Sequence, residues 1–413
     1  MRVLLISGDF PPARSGEAAH AFHLALNLAR RGVEVHVLTS AVAEVNTHPD
    51  FTVHPLMRSW SWWEVPRFIA FLRRCRPDAI LLLYLGAMYD FHPMITFSPT
   101  ISKGVLHSPP FVVQFENPAS PAWEKTFFGK LFRKLAVQVL ARKGADYTFG
   151  TLLHDSRKII FLCGAHRKLL EELYPQIDEK GFLAPPPPFM EISEANSKSR
   201  AQGRALIGAD PSDFLLVYFG YIYTGKGLET LLKALKIVSV HEIKIRLVIV
   251  GGFVDHFFAK DFGAETKKYS DTIFALQDSL GVADKVTWIG HAQQEQVTCY
   301  LRAADLCVLP FDKGIRLNNS SFAAVAAHGL PVITTNSGES DPQFSHCQNV
   351  FLCPPKEPEA LAAGILALLE NPDLRSRLSS GVLNLAEEWF SWNGTIQKTM
   401  EALSLKTSND QER

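Results

Sequence analysis

The sequence has few cysteines, and none of them stands in a CxxC pair. Six cysteines are scattered over 413 residues, and most of them lie in apolar runs such as 306–309. Such residues behave as small buried hydrophobic side chains, and their scatter suits a reducing compartment. The spacing of histidine and cysteine gives no metal-binding pattern either, so we predict no metal site.

Long hydrophobic runs are also missing. No window of about 18 apolar residues is present, as a membrane-spanning helix would require. The first residues, MRVLLISGDFPP, are apolar for only about five positions before glycine and proline, which is too short for a signal peptide. We therefore expect a globular, cytoplasmic chain.

An excess of charge of one sign is absent as well. The chain has 42 Lys and Arg against 42 Asp and Glu. Nucleic-acid-binding proteins usually carry a basic excess, so we predict no nucleic-acid partner. The balance hides an asymmetry, because residues 1–190 carry 21 basic and 16 acidic side chains (+5) and residues 191–413 carry 21 and 26 (−5).

Strands and helices alternate along the chain in two series separated by a proline run. The first series begins with an apolar strand at 2–8, a helix at 17–31 and a strand at 33–37, which form a βαβ unit. Four consecutive prolines at 185–188 stop any helix or central strand. The second series then starts near 214. This pattern predicts an α/β fold made of two doubly wound Rossmann-like domains that face each other across a cleft.

The domain boundaries follow from that break. We expect a first domain at 1–188, a linker at 189–204 and a second domain at 205–385. Residues 386–413 are expected to form a C-terminal helix followed by a disordered tail.

Ligands of such folds bind outside the carboxyl ends of the strands, so the loops there are the candidate sites. The turn ending at Gly16 lacks GxGxxG, but a glycine before a helix lets backbone approach an anion. Lys226 stands between two glycines after a strand, where it can reach a phosphate. The alternative for the Gly16 turn is an ordinary strand-to-helix connection, and the alternative for Lys226 is a surface lysine without a ligand. The Walker pattern and a GxSxG elbow are both absent.

A second candidate anion site lies at the start of a predicted helix. Its polar residues are good N-cap residues, and backbone N–H groups at such a start, together with the helix dipole, favour a diphosphate. The alternative is capping without any ligand. Arg316 adds a cation, and the polar residues of the helix start are Asn318, Asn319, Ser320 and Ser321.

Other polar residues are weaker candidates. Glu116 follows an apolar strand and is a candidate acid, base or ligand of an acceptor hydroxyl, although a solvated loop glutamate is more common. Asn117 lies beside it. His107 and His291 are candidate hydrogen-bonding residues in loops.

Residues 123–144 carry six basic and one acidic side chain interleaved with aromatic and aliphatic residues. A basic amphipathic helix of this kind is typical of segments that lie on an anionic membrane. A helix that faces the core with a solvated basic side is the alternative. The cluster Trp60-Ser-Trp-Trp63 is either an acceptor-binding surface or simple packing.

Taken together, these motifs resemble those of the family 4 (group 1) glycosyltransferases with the GT-B fold. The resemblance rests on RVLLISGDFPP…SGEAAHAFHLALNLARRGVEVHVLT, YFGYIYTGKGLETLLKAL with LVIVGG, VTWIGH…YLRAADLCVLPF and AAVAAHGLPVITT. It implies transfer of a hexose from a UDP- or GDP-sugar to a hydroxyl acceptor, with retention and without a cofactor or metal. The acceptor implied is a glycan, a lipid-linked intermediate or a small molecule.

The resemblance implies that the first domain binds the acceptor, that the second binds the nucleotide sugar, and that the C-terminal helix crosses back to the first domain. It also implies roles for individual residues. It makes Lys226, Arg316 and Glu116 the catalytic candidates, and Glu116, Asn117 and His107 the acceptor-binding ones. The implied donor-binding residues are Gly16, Gly220, Tyr221, Lys226, Gly251, Gly252, His291, Asn318, Asn319, Ser320 and Ser321.

The sequence departs from the family pattern at four positions. Tyr221 stands where the family usually has arginine, the family's two EX7E glutamates fall on Arg316 and Ala324, and Glu116 or a neighbour stands where the family often has histidine. The chain most resembles a branch of the family that lacks the EX7E glutamates. We hypothesise that Arg316 replaces the charge lost at Tyr221. The departures keep two alternatives open, a catalytically inactive nucleotide-sugar-binding protein and a nucleotide-sugar epimerase.

Overall fold

The computed structural model describes residues 1–41, 48–106, 108–118, 148–192, 197–241, 244–253 and 262–403, with single helical positions at 131, 135 and 138. Three predictions fall outside the described residues. They concern His107, nearly all of the basic segment 123–144, and the tail beyond residue 403.

The first half of the chain forms a seven-stranded parallel sheet. Its order is β3-β2-β1-β4-β5-β6-β7, so the direction of winding reverses between β1 and β4, the usual place of a ligand crevice. The central strands are apolar because helices cover both faces of such a sheet. The strands are β1 (Arg2–Ile6), β2 (Glu34–Ser40), β3 (Thr52–Met57), β4 (Ala79–Leu85), β5 (Phe111–Asn117), β6 (Lys158–Phe161) and β7 (Gly181–Leu183). The helices are α1 (Gly16–Ala29), α2 (Val65–Cys75), α3 (Ser98–Val105), α4 (Leu152–Asp155) and α5 (Gly164–Leu173).

The second half forms a six-stranded parallel sheet in the order β10-β9-β8-β11-β12-β13. Its winding reverses between β8 and β11 in the same way. The strands are β8 (Phe214–Phe219), β9 (Ile245–Val250), β10 (Val286–Gly290), β11 (Leu306–Leu309), β12 (Val332–Thr335) and β13 (Phe351–Cys353). The helices are α6 (Ser197–Leu206), α7 (Leu228–Val238), α8 (Phe262–Leu280), α9 (Gln294–Ala303), α10 (Ser320–Ala327), α11 (Pro358–Glu370) and α12 (Pro372–Trp389).

The chain divides into two compact units, each built on one sheet. Unit 1 contains Met1–Pro185 and Trp392–Arg413, and unit 2 contains Pro186–His256 and Lys260–Ser391. The last helix, α13 (Trp392–Ala402), therefore lies with unit 1. Ile396 and Met400 on its apolar face join the core of that unit, and Lys398 donates to the Leu183 carbonyl at 3.4 Å.

The prediction of two parallel Rossmann-like sheets is confirmed. The strands predicted at 2–8 and 33–37 are observed at Arg2–Ile6 and Glu34–Ser40. The sequence interpretation missed the edge strands β3, β7 and β13, and it assigned none of the helices α2 to α6 or α8. Edge strands are short and half-covered, so their hydrophobic pattern is weak. No helix in the described part of the chain is long and apolar enough to cross a membrane.

Candidate functional site

At the carboxyl edge of the unit 1 sheet, the loop after β1 is held in place by close backbone packing. A Cβ atom at Gly8 would overlap the Met88 carbonyl oxygen, so the loop tolerates no side chain there. Ser15 caps α1 by accepting from the Ala18 N–H at 3.0 Å. By contrast, a Cβ at Gly16 would meet no described atom within 4 Å. Packing among the described residues therefore does not require glycine at position 16.

Glu116 is fixed by two neighbours in unit 1 and is not a solvated loop residue. It lies inside β5, and its side chain is 8% exposed. His20 Nδ1 lies 3.0 Å from Glu116 Oε2, and Gln114 Nε2 donates to Glu116 Oε1 at 2.7 Å. Asn117, the last residue of β5, is exposed. The alternative of a solvated glutamate is therefore wrong, since both carboxylate oxygens are engaged.

Two more carboxyl groups lie at this edge, and both have raised pKa values. Burial raises the pKa of Asp9 to about 6, against the lowering effect of the hydrogen bond from Ser15. Burial also raises the pKa of Glu17 to about 7, and the charges of Glu116 and Asp9 add to this effect. Part of the Glu17 surface remains accessible. The edge thus holds carboxyl groups that exchange protons near neutral pH.

At the corresponding edge of the unit 2 sheet, glycines bring the loops after β8, β9 and β10 and the start of α10 into contact. A Cβ at Gly220 would lie 2.9 Å from the Ser321 Cβ, and one at Gly251 would overlap the Gly220 carbonyl. A Cβ at Gly252 would overlap the His291 ring, which lies 5.6 Å from the Tyr221 ring. Of the predicted donor-binding residues, these five therefore share one edge with Ser321.

Lys226 lies in a tight loop that packs against the residues directly following β11. Gly227 has φ +76°, and a Cβ there would overlap the Pro310 carbonyl oxygen. The Lys226 ammonium lies 4.8 Å from the centre of the Tyr223 ring and 5.0 Å from that of Phe311. These aromatic faces hold the ammonium by cation–π attraction. The lysine is thus positioned and is not an unconstrained surface side chain.

The start of α10 is not capped by the side chain of its N-cap residue. Asn319 instead donates its side-chain amide to the Arg316 carbonyl at 2.9 Å. The Asn319 side chain therefore does not cap the helix, as the alternative for this motif would require. Ser320 and Ser321 form the first turn, and Asn318 lies just before it.

Arg316 lies beside this helix start and forms an ion pair with Glu339. Its Nη2 atom is 2.9 Å from Glu339 Oε2, and Glu339 is 71% exposed. The Arg316 Nε atom is buried and has no hydrogen-bond partner among the described residues. The main chain is fixed at the next residue, where the Leu317 N–H donates to Asp341 at 2.8 Å. The guanidinium is therefore only partly satisfied.

Sequence reasoning missed several residues of these two edges. His20 and Gln114 hold Glu116, and Glu339 holds Arg316, although none of the three stands out as a motif. One signal was available, because Gln114 and Glu116 are two positions apart and so point to the same face of β5. The two contacts that join distant segments, His20 to Glu116 and Arg316 to Glu339, have no such signal.

A shallow cavity in unit 2 lies at the opposite edge of its sheet, before β11 and β12. Its lining includes Arg200, Asp305 and Arg375. Arg200 donates to Asp305 at 2.5 Å and to two backbone carbonyls, and Arg375 also donates to backbone carbonyls. Since these charges are engaged, and ligands of doubly wound sheets bind at the carboxyl edge, we do not place the site in this cavity.

One stretch of unit 2 matches a known protein family. Residues 200–382 match the family described as glycosyl transferases group 1. The D-inositol 3-phosphate glycosyltransferase of Segniliparus rotundus is 30% identical over 251 residues, which are 60% of this chain and 51% of the relative. The enzyme of the same name from Rhodococcus jostii is 26% identical over 228 residues, 54% of this chain and 47% of the relative. The matched part spans about half the length of these relatives.

Solved structures with the same fold cover nearly the whole chain. HepE from Anabaena, crystallised with UDP and glucose, superposes with a TM-score of 0.69 at 16% identity and covers 98% of this chain and 99% of its own. Sucrose-phosphate synthase from Thermosynechococcus elongatus gives a TM-score of 0.67 at 16% identity, with 97% and 98% covered. The predicted GT-B fold class is confirmed, as is the predicted family resemblance.

Proposed function

Residues 200–382 match the group 1 glycosyl transferases, and on that premise we propose that the chain transfers a hexose from a nucleoside diphosphate sugar to a hydroxyl acceptor. The observation that carries the proposal is the carboxyl edge of unit 2. There Lys226, the uncapped start of α10 and closely packed glycines form a seat for a diphosphate.

The chemistry of that edge suits a leaving nucleoside diphosphate. As the bond to the anomeric carbon breaks, negative charge grows on the diphosphate, and fixed cations and backbone N–H groups aimed at it lower the barrier. The Lys226 ammonium is held near two aromatic rings, so little reorganisation is needed when that charge develops. Removing one such contact costs about 2.7–4 kcal/mol of barrier, by analogy with a lost oxyanion donor.

We propose that the donor is a UDP-sugar and that its base lies near Tyr221 and His291. The rings of these two residues lie together beside the glycines that would admit the diphosphate. HepE, which has the same fold, binds UDP, and this supports the choice of base. Retention of configuration follows from the family resemblance and is part of the proposal.

We assign the acceptor to the carboxyl edge of unit 1. Glu116 is oriented by His20 and Gln114, as a group that positions an acceptor hydroxyl should be. Asn117 offers an exposed amide next to it. His107 remains part of the proposed acceptor site by the family resemblance alone. The acceptor class proposed is a glycan, a lipid-linked intermediate or a small molecule.

The test is donor turnover by the full chain. We expect release of UDP from UDP-sugars, with Lys226→Ala lowering the rate by at least about 100-fold. Lys233→Ala, at an exposed lysine on the adjacent helix α7, is the matched control and should leave the rate unchanged. Equal rates for the two variants would contradict the assignment of Lys226.

Two other outcomes correspond to the alternatives that the departures at Tyr221, Arg316 and Ala324 keep open. Binding of UDP without sugar release to any acceptor would indicate a catalytically inactive binding protein. Epimerisation of UDP-N-acetylglucosamine without an acceptor would indicate an epimerase. Either result would replace the proposed transfer reaction.

A further inference from the structure

The three tryptophans of the segment Trp60-Ser-Trp-Trp63 have three different environments. Trp60 is 2% exposed, and its indole N–H donates to Ser40 Oγ at 2.9 Å. Trp62 packs its ring against the rings of His92 and Phe97 at 5.8 and 5.7 Å. Trp63 is 91% exposed. Packing therefore accounts for the first two, whereas nearly the whole Trp63 ring lies in water.

Trp63 begins an exposed face that continues along α2. It lies in the 3-10 turn Trp62–Glu64, directly before that helix. Further exposed residues follow it at helical spacing, and we call this set the Trp63 face: Trp63, Pro66, Ala70, Arg73 and Arg74. The opposite side of α2 is buried in the unit 1 core through Phe68, Phe71, Leu72 and Cys75.

The surroundings of the Trp63 face are strongly basic. Residues 58–76 contain five arginines and one glutamate, and the glutamate, Glu64, is ion-paired with Arg67. The remaining arginines, which are all exposed, are Arg58, Arg73, Arg74 and Arg76. The exposed Trp63 indole thus lies at the N-terminal end of α2, and the exposed charged side chains of α2 are all positive.

We propose that the Trp63 face is a contact surface for an anionic lipid bilayer. Indole rings prefer the boundary between water and the acyl chains, and arginines near the surface are attracted to anionic headgroups. The apolar side of α2 is already used in the core, so Trp63 is the large apolar group that this face offers. A single inserted ring with several arginines fits a bilayer surface better than the buried centre of a protein interface, which needs a cluster of anchors.

This inference goes beyond the proposed function and does not depend on it. The surface lies on α2, outside the residues to which we assign donor and acceptor binding. A binding measurement with lipid alone, without any sugar donor, therefore tests it. Loss of transferase activity and loss of lipid binding are separate results.

The experiment is sedimentation of the full chain with vesicles. We expect binding to vesicles of phosphatidylcholine with phosphatidylglycerol and little binding to phosphatidylcholine alone. Each arginine near an anionic surface is worth about fivefold in partitioning, so Arg73→Glu with Arg74→Glu should weaken binding at least about 25-fold. Trp63→Ala should weaken it at least about threefold, and it should not change the thermal unfolding curve because the side chain is exposed.

Matched controls lie on unit 2. Val240 is a 78% exposed apolar residue, and Arg377 is an exposed arginine on helix α12. Val240→Ala and Arg377→Glu should leave vesicle binding unchanged. Unchanged binding by the Trp63 and arginine variants would overturn the proposal, as would equal binding to neutral vesicles. Self-association that Trp63→Ala abolishes, without vesicle binding, would assign the face to a second copy of the chain and would also overturn it.

Discussion

Replacing Arg316 by alanine should weaken the binding of UDP far more than replacing Lys313, an exposed lysine of the same loop. Arg316 lies beside the start of α10, with its Nε atom buried and without a partner among the described residues. A hydrogen bond from a charged donor is worth about 1.5–3 kcal/mol, which corresponds to about 10- to 150-fold in affinity. Lys313 reaches into solvent, where charge is screened beyond about 8 Å, so its removal should change affinity less than about twofold.

The ion pair between Arg316 and Glu339 reduces the loss of UDP affinity expected for Arg316→Ala. Glu339 is 71% exposed, and exposed pairs contribute about 0.2–1 kcal/mol. If a diphosphate takes over the guanidinium, that contribution is lost, so the net effect of Arg316→Ala should be about 0.5–2.8 kcal/mol, or about 2- to 100-fold in affinity. Glu339→Gln should tighten UDP binding by about 1.4- to 5-fold, because it removes the competing carboxylate.

Isothermal titration with UDP measures all three variants. Circular dichroism should give the same spectrum for each, because the substituted side chains are exposed or partly exposed. Small and equal effects of Arg316→Ala and Lys313→Ala would refute the idea that Arg316 replaces the charge missing at Tyr221. Weaker binding by Glu339→Gln would show that the carboxylate orients Arg316 instead of competing for it.

Three further predictions concern stability. His20→Ala removes the buried partner of Glu116 and should lower the free energy of unfolding by about 2–3 kcal/mol, measured by urea titration, whereas an unchanged midpoint would mean that the pair is not formed. Because the pKa of Glu17 is raised to about 7 from 4.5, ionising it costs stability as pH rises through that window. Glu17→Gln should therefore gain stability over the native chain by up to about 3 kcal/mol at pH 8 and gain nothing below pH 4.5; a pH-independent difference in melting temperature would contradict the raised pKa. Gly227→Ala would drive a Cβ into a carbonyl oxygen, whereas Gly225→Ala meets no described atom within 4 Å and carries only the cost of its positive φ, about 1–3 kcal/mol. The first variant should therefore be the less stable of the two in thermal unfolding, and equal stabilities would refute the close approach.

Unit 1 has two surfaces of opposite charge, the Trp63 face and the carboxyl edge of its sheet. The Trp63 face carries arginines, whereas the carboxyl edge of the same sheet carries Asp9, Glu17 and Glu116. The +5 balance of residues 1–190 therefore does not describe every surface of the unit. Electrostatic attraction depends on the local groups, because charges separated by more than about a Debye length hardly interact in water.

Much of the fold is already contained in the sequence. Buried parallel strands such as Ala79–Leu85 and Ile245–Val250 are continuous apolar runs, and their helices repeat apolar residues at helical spacing. The proline run marks the end of the first series, and glycines mark the loops at the carboxyl edges. The edge strands β3, β7 and β13 escape such reading because short, half-covered strands lack a strong pattern.

The sequence alone identifies only part of the candidate site. Lys226 between its glycines and the polar start of α10 are local patterns, so the sequence identifies them as candidates. The pairing of His20 with Glu116 joins residues 96 positions apart, and that of Arg316 with Glu339 joins residues 23 apart. Local patterns carry no information on which distant side chains meet. Only the tertiary structure decides this, because it depends on the order of the strands in each sheet and on the close packing that glycines such as Gly8 and Gly251 allow.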